Sequence, residues 1–87
     1  MPDQKRYILW LDRGRQSPEE VGEIELHLTG WQGELYLDEQ RRPCPLVHYA
    51  DIAYFGPFRT PYLALLALKR EVSRLEGAWA SERLRMS

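Results

Sequence analysis

Cys44 and His48 come first, because a thiol four positions from an imidazole is the smallest set a nucleophilic site needs. A cysteine attacks as the thiolate, so it requires a base or a positive environment beside it. Here Cys44 stands between Pro43 and Pro45, and no further activating residue accompanies the pair. The expectation is a small, partly buried side chain without a catalytic role. His27 and His48 offer imidazole ligands, with Glu25 and Asp51 as nearby carboxylates. Zinc sites are usually announced by short, paired ligand spacings, and two isolated histidines with one cysteine lack them. No metal and no cofactor are expected. Carboxylates are plentiful, yet acid–base catalysis needs a group shielded enough to shift its pKa. Glu23, Glu25, Glu34 and Asp38 alternate along open strands instead. Gly30 and Gly33 read as parts of a hairpin connection, not of a phosphate loop. The sequence therefore points away from an enzyme.

Binding is better supported, because charge is sorted into blocks. Residues 16–40 hold seven acids (Glu19, Glu20, Glu23, Glu25, Glu34, Asp38 and Glu39) and no Lys or Arg. Net charges of the segments 1–15, 16–40 and 41–87 are +2, −7 and +4, within a total of −1. Such segregation gives a partner an electrostatic handle. Ile8, Trp10 and Tyr36 share an expected outer sheet face with Glu23 and Glu25, and aromatics are common interface anchors. Tyr62, Leu63, Leu66 and Leu84 lie off the buried stripe of the last helix, and a second apolar stripe marks an interface when nothing covers it. The partner set is thus Trp10, Tyr36, Glu23, Glu25, Leu63 and Leu66. The partner is another protein, a second copy in a homodimer, or both. The alternative is nucleic acid, with sheet aromatics stacking bases and Arg13, Arg15, Arg70 and Arg74 neutralising phosphate. The acids on the same face oppose it.

Eighty-seven residues, 44% hydrophobic and 29% charged, describe one small globular domain. No apolar run approaches the roughly 20 residues that cross a bilayer. No signal peptide is legible at the N-terminus, and one cysteine fits a reducing compartment, so a cytoplasmic protein without membrane contact is expected.

The elements that must carry these residues follow from periodicity. Tyr7–Leu11 is an apolar, β-prone run and reads as a central strand. Gly14–Gly22 reads as a loop, with one helical turn at Ser17-Pro18-Glu19-Glu20. Residues 23–29 and 34–38 alternate as two strands, with Ile24, Leu26, Leu28, Leu35 and Leu37 inward, joined by a connection over 29–33. A fourth strand is expected in 52–55, ended by Gly56-Pro57. Thr60 and Pro61 start a long helix whose buried stripe is Leu65, Leu68, Val72, Leu75 and Trp79. The expected fold class is α+β: a three- or four-stranded antiparallel meander with one long C-terminal helix on one face, two layers in all. The ordered core is expected over about 5–80, with a frayed tail at 81–87.

Overall fold

The computed structural model describes residues 4–14 and 16–87 of the chain. In chain order it contains β1 (Arg6–Leu11), β2 (Glu19–His27), β3 (Gly30–Leu37), a 3-10 turn (Leu46–His48), β4 (Asp51–Phe58), α1 (Pro61–Glu76), α2 (Ala78–Glu82) and β5 (Leu84–Met86). The five strands form one antiparallel sheet in the order β4-β3-β2-β1-β5, and α1 packs across one face. This is the expected two-layer α+β arrangement with one strand more.

The core lies between that sheet face and α1. Leu9, Leu11, Ile24, Leu35 and Leu37 from the strands meet Ala64, Leu65, Leu68 and Val72 from α1, all buried. The helix starts where the sequence placed it. The Thr60 hydroxyl accepts from the Leu63 amide at 3.1 Å, and Pro61 occupies a position whose amide has no helical partner.

Four local readings require correction. Residues 17–20 form no helical turn: β2 already begins at Glu19, because Val21 is fully buried and draws the segment into the sheet. Val21 is the extra residue of a bulge, since Leu9 pairs with Gly22 while Trp10 pairs with Glu20. The β2–β3 turn is Leu28-Thr29, not 29–33, so Leu28 is fully exposed and Leu26 is 41% exposed. Gly22 and Gly33 are strand residues, used for close approach. A Cβ at Gly22 would fall inside the carbonyl oxygen of Glu34, and one at Gly33 would lie 3.0 Å from Leu68 Cδ1. β4 likewise runs through Gly56-Pro57 to Phe58, which an edge strand tolerates because one side needs no donors.

The fourth correction concerns the C-terminus. α1 stops at Gly77 (φ 112), which removes Trp79 from the helical stripe and leaves it 44% exposed. Ala80 and Leu84 fill the core in its place, both buried. Leu84 is therefore not part of an exposed patch. Residues 84–86, expected to fray, pair with Leu9–Leu11 as β5 and make β1 an interior strand. Lys69 secures this end, its Nζ donating to the Ser81 and Leu84 carbonyls at 2.8 and 2.9 Å.

Candidate functional site

α1 covers one face of the sheet, and strand pairing dictates what the other face displays. Leu9 and Leu11 point to the helix, so Arg6, Ile8 and Trp10 point away from it. Pairing then aligns Arg6 with Glu25, Ile8 with Glu23, and Trp10 with both Glu20 and Arg85. Glu23 pairs in turn with Glu34, and Glu34 with Tyr54. The sequence-predicted Trp10, Glu23, Glu25 and Tyr36 are thus brought to one face.

Three carboxylates converge at its centre. Oxygens of Glu23, Glu25 and Glu34 lie within 4.8 Å of one another. Arg6 Nε donates to Glu23 at 2.8 Å, and His27 Nε2 lies 3.2 Å from Glu25. Burial raises the pKa of Glu34, and the charges of Glu23 and Glu25 raise it further. An all-carboxylate group of this kind suits a hard cation or a cationic side chain. His27 and His48 are not brought together: His27 pairs with Gly30 at one end of β3, and His48 follows the segment beside its other end.

The aromatic part of the face is narrower than expected. Pro43 and Asp51 flank opposite edges of Leu37, so the chain crosses β3 between them. Tyr36 sits beside this crossing and is only 5% exposed. Burial, with Glu23 and Glu20, pushes its hydroxyl up to about 12. Trp10 and Tyr54 remain accessible. Trp10 Nε1 donates to the Ser87 hydroxyl at 2.7 Å, and its ring borders an open recess of about 610 Å³ lined also by Asp12, Pro18, Glu82, Arg83 and Arg85. Cys44 is buried, and burial pushes its thiol up, with Asp38 and Glu19 adding to the rise. It is a thiol near neutral pH, opposite to what a nucleophile needs.

The basic residues of the alternative reading are dispersed. Arg13 is built into the fold: Nε donates to Glu19 at 2.7 Å, Nη1 and Nη2 to Glu76 at 2.7 and 2.9 Å, and Nη2 also to the Pro43 carbonyl at 2.7 Å. Arg74 is paired with Glu71 on α1 at 2.7 Å. Arg70 is exposed on the same helix, and Arg15 lies outside the described residues. On α1, Leu63 and Leu66 are 43% and 40% exposed, beside Tyr62 at 60%. No described helix is long and apolar enough to cross a membrane.

Sequence reasoning missed Glu20 and Arg85 on the open face. Glu20 was hidden by the misread helical turn. The alternation of Leu84, Arg85 and Met86 is a strand signal, but only three residues long. No family model, curated protein or solved structure matches this chain.

Proposed function

We propose that this domain is a small non-catalytic protein-interaction module, an adaptor, regulator or inhibitor, that docks a basic partner on the sheet face α1 leaves open. One observation carries the reading: Glu23, Glu25 and Glu34 crowd their oxygens within 4.8 Å, and Arg6 is the only arginine bonded to them among the described residues. Crowded carboxylates repel one another, and partial burial strengthens the repulsion. A Lys or Arg side chain from a partner relieves it, so binding is favoured by a strain already present in the free domain. Trp10 beside the trio supplies an apolar anchor, and Tyr54 extends the surface. Tyr36 contributes mainly by supporting the face. Leu63 and Leu66 offer a second, apolar contact on the opposite layer, each with more than half of its surface already covered.

The nucleic-acid alternative has less support. Phosphate would meet the acids on the open face, and Arg13 and Arg74 already satisfy carboxylates of the domain.

Selection of displayed peptides on the immobilised domain tests the reading. Recovered sequences should combine Lys or Arg with an aromatic or aliphatic residue, and should not bind a Glu23→Gln/Glu25→Gln/Glu34→Gln variant. Recovery of sequences without basic residues, or equal binding by the triple variant, would remove the support. Tight binding of single-stranded RNA or DNA, falling steeply with salt, would favour the alternative.

A further inference from the structure

Charge on the open face is sorted across the strands as well as along the chain. Glu20, Glu23, Glu25 and Glu34 stand on β2 and β3, and Arg83 and Arg85 stand at the β5 edge, with Trp10 on β1 between them. Arg6 on β1 is already bonded to Glu23. Arg83 and Arg85 line the recess beside Trp10, and neither enters an ion pair with another described residue. Arg85 only donates Nη1 to the Glu82 carbonyl at 2.9 Å. Asp12 and Glu82 share the recess, and Asp12 Oδ1 accepts from the Gly14 amide at 2.8 Å. This end of the face is therefore balanced in charge, with two guanidinium groups open to an acceptor, while the centre holds a surplus of acid.

From this we infer that the open face takes an extended segment of a partner protein, in which an acidic residue stands about four positions from the base that meets the carboxylate trio. The inference rests on the reading of that face as an interface and specifies the charge pattern of the partner. A segment that sets its base among Glu23, Glu25 and Glu34 and a side chain on Trp10 also covers Arg85, which pairs with Trp10 in register. A guanidinium covered without a counter-charge is costlier than one left in water. A carboxylate of the segment removes that cost, and can accept two parallel N–H bonds from the guanidinium edge. Beside β2 and β3 the same carboxylate would meet like charge. The spacing follows from the sheet. Glu23 pairs with Ile8 and Arg85 with Trp10, so the two side chains are two strands and two residues apart. At about 4.8 Å per strand and about 3.4 Å per residue the diagonal is about 12 Å, which an extended chain covers in about four residues. The middle of the segment then lies over β1, where Ile8 and Trp10 offer apolar surface.

Calorimetric titration of the domain in low salt, with peptides acetylated and amidated at their ends, provides the test. The first peptide is Arg-Gly-Tyr-Gly-Asp, the second ends in Asn instead, and the third has Asp moved next to Arg. The first should bind the parent chain at least about threefold more tightly than either of the others. Arg83→Gln/Arg85→Gln should lose that preference and bind the Asn peptide as the parent does. Circular dichroism should report unchanged folding in this variant, and the ranking of the peptides on the parent chain stands independently of it. An Asn peptide that binds the parent as tightly as the first peptide, or a preference that survives in the arginine variant, overturns the inference. If the peptides bind the parent equally, and none binds the Glu23→Gln/Glu25→Gln/Glu34→Gln variant, only the charge pattern of the partner falls. If no peptide binds the parent, the interface reading falls with it.

Discussion

The guanidinium of Arg13 joins four parts of the chain: the end of β1, Glu19 at the start of β2, the Pro43 carbonyl and Glu76 at the end of α1. Glu76 is 6% exposed at its side chain and bonded in bidentate fashion. Removing the Arg13 guanidinium strands that nearly buried carboxylate, which is costlier than the loss of a surface pair. Arg13→Met should therefore lower stability by about 2–4 kcal/mol in urea denaturation, whereas Arg70→Ala on the open side of α1 should change it by under about 0.5 kcal/mol. The sequence listed both among bases available for phosphate. It could not separate them, because the bond that engages Arg13 spans 63 positions in the chain. Glu34 is a second residue whose environment exceeds its type. Its folded pKa is raised, first by burial and then by Glu23, so folding disfavours the ionised form. Stability is then greatest with Glu34 protonated and falls as pH rises through its folded pKa. Glu34→Gln should raise the melting temperature near pH 7 and leave it unchanged near pH 3, where both forms are neutral. A variant no more stable than the parent near pH 7 would show that the trio is not strained.

At the scale of elements, what was legible depended on which periodicity had room to repeat. The helix start was clear because Thr60 and Pro61 are a local signal followed by two turns of spaced leucines. The alternation of Ile24, Leu35 and Leu37 likewise fixed the inward face of the hairpin. Its ends failed for a common cause: glycine signals a turn in sequence but serves as a spacer in this sheet. Gly22 and Gly33 sit inside strands because another chain segment passes too close for a Cβ. The two obstacles differ in kind. At Gly22 it is the Glu34 carbonyl, part of the backbone, and at Gly33 it is the rotatable end of Leu68. Gly22→Ala should cost about 3 kcal/mol or more, and Gly33→Ala about 1–2 kcal/mol, by thermal or urea unfolding. Equal costs would mean that β2 and β3 do not approach as closely as described. β5 was illegible for the opposite reason. Three residues are too few to display a period, and their burial depends on reaching β1, more than 70 positions earlier.

Across the whole molecule, α1 covers one face of the sheet, and the segment after β3 covers only the Tyr36 end of the other. The covered face holds the core. The open face gathers acids from β2 and β3, places Trp10 on β1, one strand in from the edge, and carries Arg85 on the β5 edge itself. The acidic block and the aromatics were visible in the sequence, and their shared face followed from strand alternation. The depth of Tyr36 and the neutralisation of Arg13 were not, since the first arises from the segment that follows β3 and the second from Glu19 and Glu76, on two other elements. The role proposed for the open sheet face is to bind protein through its carboxylates. Titration of the isotope-labelled domain with a short Arg- and Tyr-containing peptide, followed by amide chemical shifts, tests it most directly. Perturbation of Ile8, Glu23, Glu25, Glu34 and the Trp10 indole N–H is expected, weakened by salt and absent from the triple Gln variant. Perturbations confined to Leu63, Leu66 and Arg70 on α1, or none on the sheet, would contradict it.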